Sequence, residues 1–180
     1  MVTRSLAWQC GEGVFEPHPD GSVSVRSSRQ LGRYPDRLTE RLENWAAIAP
    51  DRVLLAQRAA DGWRKVTYAD ALSAVRSIGQ ALLDRALARP VLILSSNGIE
   101  HGLLSLACLH VGIPFVPLST AYSLMSADFA RLREIVGLVR PALVFADDGN
   151  RYAAAIRSCI PADTEVVIVG GGAKSVGDPH

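Results

Sequence analysis

The chain has almost no excess charge and very little lysine. Its 19 Lys and Arg residues nearly balance 18 Asp and Glu residues, which leaves a net charge of +1. Lysine occurs only at Lys65 and Lys174, and the arginines are scattered among acidic residues. A domain that binds nucleic acid or an anionic membrane needs a concentrated basic surface. The composition therefore argues against both kinds of partner.

Cysteine is also scarce. Cys10, Cys108 and Cys159 lie far apart in the sequence. An odd number of cysteines without close spacing fits neither a disulfide framework nor a structural zinc site. Cys108 lies in an apolar helical stretch and is interpreted as a small core residue. We therefore predict no metal site, and we expect the protein in the reducing cytoplasm.

Long apolar runs are missing as well. The first 13 residues contain one arginine and no continuous apolar stretch, so the sequence predicts no secretory signal there. The longest apolar stretch, residues 102–118, is interrupted by a histidine, a glycine and two prolines, and it is short for a membrane helix. The overall composition, 48% hydrophobic and 21% charged, is that of an ordinary globular domain.

Three segments differ in their residue patterns. Residues 1–33 are rich in Gly, Pro, Ser and charged residues, which predicts a weakly ordered N-terminal arm. Residues 34–170 carry regular apolar periodicities and are expected to form one α/β domain. Residues 171–180 form a Gly-rich, polar tail.

The first part of the domain is predicted to be a helix, a hairpin and a second helix. Apolar residues recur every three to four positions over 38–49, with Thr39 as a candidate cap. Apolar segments on both sides of Asp61 and Gly62 predict a β-hairpin. Thr67 and Asp70 have the spacing of a capping box at the start of the second helix. We expect the buried stripe of that helix to contain Leu72, Val75, Gly79, Leu82 and Leu83.

Strands and helices then alternate. The continuously apolar segment 91–95 is typical of a strand buried on both faces. Further strands are predicted at 115–118, 142–146 and 166–169, with helices at 98–111, 128–139 and 150–159. This alternation predicts an α/β fold with a parallel sheet, mixed at its edge, flanking helices and right-handed crossovers. Pro117 predicts either that its strand lies at an edge of the sheet or that the strand ends there.

One loop leaves the first of these strands at its carboxyl end, where open α/β sheets bind ligands. Asn97 is expected to cap the following helix by accepting from the amide of Glu100, and Glu100 to reach back to the amide of Asn97. Asn97 and His101 would then line the edge of a substrate crevice, although a purely structural turn accounts for the same residues. A helix N-terminus disfavours imidazolium, so His101 is predicted to be neutral and hydrogen-bonded.

A second loop, residues 119–123, leaves the following strand at the same edge of the sheet, and an ordinary connection is the alternative interpretation. Further along, Asp147 and Asp148 follow a strand and are expected to cap the next helix. No catalytic set of nucleophile, base and orienting carboxylate can be assembled from the sequence.

The tail that starts at Gly170 superficially resembles a phosphate-binding loop. Such a loop needs glycine directly before its lysine and again six residues before it. Here Ala173 and Ile168 occupy those positions relative to Lys174. We therefore predict that this tail does not bind a nucleotide.

Several segments, taken in order, resemble the opening of acyl-CoA synthetases of the adenylate-forming superfamily. They are Tyr34–Leu42, Trp63–Leu72 and Leu109–Leu118, of which the second and third look like the first two shared motifs of the family. The Ser-Asn-Gly-Ile-Glu-His run at 96–101 and the Ala-Tyr-Ser-Leu run at 121–124 most resemble feruloyl-CoA synthetases. The resemblance covers about residues 34–170.

The resemblance implies the N-terminal fragment of a two-step ligase. In such enzymes a carboxylate attacks the α-phosphate of ATP, Mg²⁺ stabilises the pyrophosphate, and the thiol of CoA then displaces AMP. The phosphate loop and later motifs of the family do not occur up to His180. The remainder of a synthetase chain is therefore the implied partner. We expect the 180-residue chain alone to be inactive and to bind none of these cofactors tightly.

The resemblance also implies a site near CoA. In related ligases the loop after the second motif lies near the CoA nucleotide, which corresponds here to Ser119, Thr120 and Ala121, with Tyr122 beside them. In the same family a helix-ending glycine usually precedes the first parallel strand, and Ala86 stands at that point here. This departure predicts either a longer helix or a strained turn.

Two other kinds of protein stay open at this stage. One is a standalone module that binds CoA or a partner without catalysis, and the other is a structural or oligomerisation domain. A truncated parallel sheet would expose apolar surface, so a homodimer is expected. The sequence does not identify the acid that is activated, because the acyl pocket of the family is built mainly from residues beyond this chain.

Overall fold

The computed structural model describes residues 13–170, and these divide into two units, one ending at Asp36 and one beginning at Arg37. In the first unit, β1 (Gly13–Pro17) and β2 (Val23–Ser27) pair as an antiparallel hairpin. The sequence predicted only an arm here and missed this hairpin, because almost all of its side chains are exposed and give no buried stripe. Residues 1–12 of the arm and the whole tail 171–180 lie outside the described residues.

The second unit begins with a helix, a hairpin and a longer helix, as predicted. These are α1 (Glu40–Ile48), β3 (Val53–Ala59), β4 (Gly62–Thr67) and α2 (Tyr68–Asp84), with β3 and β4 antiparallel. Thr39 holds the predicted N-cap position of α1, but it does not cap the helix with its side chain. Its side chain makes no capping hydrogen bond within the described chain, and its buried hydroxyl lies 3.1 Å from Nδ1 of His110. The hydroxyl thus links α1 to a later helix.

The capping box of α2 is confirmed. Oγ1 of Thr67 accepts from the amide of Asp70, and the carboxylate of Asp70 accepts from the amide of Thr67, both at 3.2 Å. The pKa of Asp70 is lowered, because its charged carboxylate accepts from the hydroxyl of Thr67 and also from the amide of Thr67. The predicted buried stripe is partly wrong. Val75, Gly79 and Leu82 are buried, but Leu83 is exposed, and Ala71 belongs to the buried face in its place.

The centre of the second unit is a four-stranded sheet in the order β6-β5-β7-β8, with every pairing parallel. The predicted parallel sheet is confirmed, with Pro117 on an edge strand, whereas the antiparallel β3-β4 pair forms a separate sheet.

No helix within residues 13–170 is both long enough and apolar enough to cross a membrane. The strands and helices of this region are β5 (Val91–Leu94), α3 (Ile99–Val111), β6 (Phe115–Pro117), a π-turn (Ala121–Met125), α4 (Ala130–Val139), β7 (Leu143–Ala146), α5 (Gly149–Cys159) and β8 (Glu165–Ile168).

Helices cover both faces of this sheet. Val91 and Ile93 of β5 point into one buried cluster with side chains of α2 and α3. Leu92 and Leu94 point into a second cluster with side chains of α4 and α5. Because successive side chains of a strand face opposite sides, this arrangement explains why all four residues of β5 are apolar and buried.

The strand order changes direction at β5. The chain runs from β5 through α3 to β6 on one side, and then through α4 to β7 on the other side of β5. The connections that leave the neighbouring strands β5 and β7 therefore diverge. Open α/β sheets have their ligand crevice at such a switch point, outside the carboxyl ends of the two strands.

The turn between α2 and β5 is strained, which is one of the two outcomes predicted from Ala86. Ala86 has a φ of 48°, in the left-handed region, which costs a residue with a Cβ atom roughly 1 kcal/mol. We expect Ala86→Gly to raise the free energy of unfolding by about 0.5–1 kcal/mol in urea titrations. The control is Ala88→Gly, at a nearby position without a left-handed backbone, and it is expected to lower stability slightly. A loss of stability in Ala86→Gly would contradict the strain.

Candidate functional site

A polar cleft of about 310 Å³ lies at the switch point. One wall is the loop from β5 to α3, the opposite wall is the loop from β7 to α5, and Gln57 of β3 adds to the lining. We call it the switch-point cleft. Its other lining residues are Ser95, Ser96, Asn97, Gly98, Glu100, His101, Asp147, Asp148 and Arg151.

Asn97 and His101 both line this cleft, so the structure brings together the two residues placed at the crevice edge by the sequence. The predicted cap at Asn97 is wrong. Gly98 is the N-cap of α3, and among the described residues it is Gln57 that accepts from the amide of Ile99, at 3.0 Å. Glu100 forms an ion pair with Arg64 instead of reaching back to Asn97. The β3-β4 hairpin therefore supplies the partners of Ile99 and Glu100, whereas Asn97, their neighbour in sequence, was expected to do so.

His101 is hydrogen-bonded to the backbone at the bottom of the first wall. Its Nδ1 lies 3.2 Å from the carbonyl oxygen of Ser96. A carbonyl oxygen can only accept, so Nδ1 carries the proton of this bond. The ring is half-buried, and its other nitrogen, Nε2, does not take part in this bond. The neutral state of His101 stays a prediction.

The two aspartates of the opposite wall have different roles. Asp148 caps α5, because its Oδ1 accepts from the amides of Asn150 and Arg151 at 2.9 and 3.1 Å. The predicted capping role of Asp147 is wrong. Its Oδ2 accepts from the amide of Ser96 at 2.8 Å and lies 3.1 Å from the hydroxyl of Ser95. Asp147 therefore ties the two walls together.

Two buried polar atoms beside the cleft have no hydrogen-bond partner among residues 13–170. They are Oδ1 of Asp147 and the hydroxyl of Tyr152, whose side chain is fully buried. Burial raises the pKa of Tyr152, and the negative charge of Asp147 raises it further, whereas the nearby hydroxyl of Ser96 lowers it. Ser96 is therefore the polar side chain within reach of the Tyr152 hydroxyl, although the two do not form a hydrogen bond of good geometry, and the ring of Tyr152 packs in the apolar cluster with α4 and does not line the cleft. Sequence analysis missed both roles, because neither residue type is distinctive at a strand end or in a helix.

The predicted CoA-adjacent residues lie elsewhere on the same sheet edge. Ser119 and Thr120 follow β6, while Ala121 and Tyr122 begin the π-turn, where a plain loop was predicted. The hydroxyl of Ser119 accepts from the amide of Ala121 at 3.3 Å. These four residues do not line the switch-point cleft. The structure therefore places the two predicted sites separately, at the ends of neighbouring strands.

The side chains of the cleft can form hydrogen bonds, and the one buried thiol among the described residues is not activated as a nucleophile. Burial raises the pKa of the Cys108 thiol to about 11, so it is protonated at neutral pH. Within residues 13–170, no three His, Cys, Asp or Glu side chains are grouped so that they could hold a metal ion. The switch-point cleft, with its hydroxyls, carboxylates, imidazole and guanidinium, is suited to binding a polar molecule.

Comparison with known proteins identifies the protein family of this chain. The model of the AMP-binding enzyme family matches residues 42–177. No curated protein matches the chain significantly.

Solved structures with a similar fold include two ligases and one N-terminal subdomain. A fatty acyl-adenylate ligase from L. pneumophila, in complex with acyl adenylate and pyrophosphate, is 18% identical with a TM-score of 0.58, over 73% of this chain and 23% of that chain. A putative long-chain-fatty-acid CoA ligase from Rhodopseudomonas palustris CGA009 is 22% identical with a TM-score of 0.61, over 77% and 34%. The Klebsiella oxytoca NpsA N-terminal subdomain, in complex with 3-hydroxyanthranilyl-AMSN, is 18% identical with a TM-score of 0.56, over 73% and 30%. The chain thus spans about a quarter to a third of the length of these proteins.

Proposed function

Because the chain belongs to the AMP-binding enzyme family, we propose that it forms the N-terminal subdomain of a ligase that converts a carboxylic acid and ATP into an acyl-adenylate. The observation that carries this proposal is the family match over residues 42–177. It is supported by a fold shared with a ligase solved in complex with acyl adenylate and pyrophosphate. The rest of the synthetase chain would be the partner that supplies the phosphate-binding residues and the Mg²⁺ site.

We propose CoA as the acceptor of the acyl group and an aromatic, feruloyl-type acid as the substrate. The support for both is the sequence resemblance at 96–101 and 121–124, two segments that the fold places at the carboxyl edge of one sheet. In this proposal Ser119, Thr120, Ala121 and Tyr122 lie next to CoA. Asn97 and His101 line a separate crevice, and the cytoplasm is the proposed location.

A homodimer of the 180-residue chain is a further proposal. Strand β8 is an edge strand of the sheet and is rich in apolar β-branched residues, and Val169 directly after it is 56% exposed. An edge of this kind can pair with another strand. Sedimentation velocity over a range of concentrations tests the proposal, and a monomer at every concentration would contradict it.

We expect no ATP–pyrophosphate exchange from the 180-residue chain with any acid. We expect acid-dependent exchange from a polypeptide that continues into the family's later motifs, because those motifs would supply the phosphate-binding residues. The assay measures incorporation of labelled pyrophosphate into ATP with ferulate, benzoate and octanoate. Exchange by the 180-residue chain would refute its inactivity, and a longer polypeptide without exchange on any acid would refute the ligase proposal.

The proposed CoA loop can be tested in the longer polypeptide. We expect Thr120→Trp to raise the KM for CoA about 10-fold, because the half-buried Thr120 directly precedes the turn that would face CoA. Pyrophosphate exchange, which precedes CoA binding in the proposed sequence, should change little. Thr164→Trp is the matched control, at the opposite end of the sheet just before β8. An unchanged KM for CoA in Thr120→Trp would count against the assignment.

A further inference from the structure

We propose that Asp147 is a positioning residue for the acid substrate of the ligase. It holds Ser96 in place, and Ser96 in turn sets the positions of Asn97 and His101 in the switch-point cleft. The inference rests on the proposed function, in which those two residues line the substrate crevice. It adds to them a residue from the opposite wall, which acts through its neighbours.

The backbone and the side chain of Ser96 are both held by hydrogen bonds. Its amide donates to Oδ2 of Asp147 at 2.8 Å, and its hydroxyl accepts from Nη1 of Arg151 at 2.9 Å. Its carbonyl oxygen accepts from the hydroxyl of Ser95 at 2.6 Å and lies 3.2 Å from Nδ1 of His101. The last contact needs only a proton on Nδ1, which the imidazolium and one neutral tautomer both carry, so it does not depend on the charge of the ring. Ser96 therefore joins both walls of the cleft.

Asp147 makes the stronger of the two bonds that reach Ser96 from the opposite wall. A carboxylate that accepts from an amide forms a charge-assisted bond, which is roughly twice as strong as a neutral one. Asp147 also directly follows β7, whose four residues are all buried, so its backbone is held by the sheet. Arg151, in contrast, is exposed and holds a neutral hydroxyl through a long side chain, an arrangement that contributes little. The position of Ser96 is thus set mainly by Asp147.

The position of Ser96 matters for the cleft because the two predicted crevice residues depend on it. Asn97 is the next residue in the chain, and the ring of His101 is held by the carbonyl oxygen of Ser96. Without the carboxylate of Asp147, the amide of the half-buried Ser96 would lose its acceptor, and the loop would have to move to find another. Displacements of about 1 Å in groups that hold a substrate can slow a reaction by orders of magnitude. We therefore expect Asp147 to affect the binding of the acid.

The test uses the longer polypeptide and measures rates of ATP–pyrophosphate exchange at varied concentrations of acid and of ATP. We expect Asp147→Ala to raise the KM for the activated acid, ferulate in the proposed function, about 10-fold and to leave the KM for ATP nearly unchanged. Asp147→Asn should restore the KM for the acid, because its amide oxygen can still accept from the amide of Ser96. An unchanged KM for the acid in Asp147→Ala would overturn the positioning role and leave the ligase proposal standing. No exchange by the unaltered polypeptide with any acid would refute the ligase proposal and this inference with it.

Asp70→Ala is the matched control for a loss of stability. Asp70 also accepts from a backbone amide, that of Thr67, but it lies at the start of α2 and does not line the cleft. Both alanine variants should lower Tm, Asp147→Ala by about 4 °C, since each removes an acceptor from a backbone amide. Only Asp147→Ala should change the KM for the acid. A KM that rises equally in both variants would show a general loss of stability, and a KM that stays high in Asp147→Asn would show that the charge of the carboxylate is itself required; either result would overturn the proposal.

Discussion

Leu92→Ala is expected to lower the free energy of unfolding by about 3 kcal/mol, a large part of the stability of a domain of this size. Leu92 is fully buried in β5 and packs in the cluster that joins the sheet to α4 and α5. The substitution removes buried apolar surface and leaves a cavity, because neighbouring strands hold the backbone of β5 on both sides. Urea unfolding followed by circular dichroism measures the loss.

The matched control is Leu138→Ala. Leu138 lies on α4 and is 83% exposed, so the same chemical change should alter stability by less than about 0.5 kcal/mol. The switch-point cleft lies directly beyond the end of β5, so Leu92→Ala should also broaden the amide signals of Ser95 and Ser96. Equal effects of the two substitutions would show that β5 is not the centre of the core.

Gly79→Leu is expected to cost about 3 kcal/mol, even though leucine is a far better helix former than glycine. Gly79 is buried where α2 packs against α3, and a Cβ atom there would lie 2.8 Å from Cγ1 of Val111. A leucine adds three more carbons in a space that is already occupied. The two helices must therefore separate, which weakens the packing of α3 on the sheet.

Gly137→Leu is the control, and its expected effect on the free energy of unfolding has the opposite sign. Gly137 lies within α4 and is exposed, and among the described residues no atom apart from its chain neighbours and the nearby helix backbone comes within 4 Å of the position of its Cβ. Leucine there should raise the free energy of unfolding by about 0.8 kcal/mol through helix propensity alone. Thermal unfolding of both variants is a direct comparison. Destabilisation of both, or of neither, would contradict the close packing of α2 against α3.

The candidate site shows how far local sequence patterns reach. Asn97 and His101 were predicted at a crevice edge because they follow the carboxyl end of a strand, and both line the cleft. The sequence did not predict the hydrogen-bond partners of this site correctly. Gln57 comes from a hairpin about forty residues away to accept from the amide of Ile99, and Asp147 crosses from β7 to the amide of Ser96. Local capping rules describe only neighbours in sequence, so they assign such partners to the nearest suitable side chain.

The N-terminal hairpin and the π-turn after β6 were not predicted from the sequence, for related reasons. The side chains of β1 and β2 are almost all exposed, so the apolar alternation that reveals a half-buried strand is absent. The π-turn at Ala121–Met125 is five residues long and buries only Ser123. A single turn has no periodicity for a pattern to show.

The sequence by itself determined the order of strands and helices after residue 37, the parallel sheet, a position of Pro117 at a sheet edge or a strand end, and the resemblance to a ligase family. These depend on apolar periodicity, proline chemistry and short ordered motifs, which are local properties. Only the tertiary structure decided that β7 lies beside β5, that a polar cleft opens between their ends, and that Asp147 accepts there from the amide of Ser96. Hydrogen-bond partners are chosen by distance in space, and residues 96 and 147 meet only when the sheet is assembled.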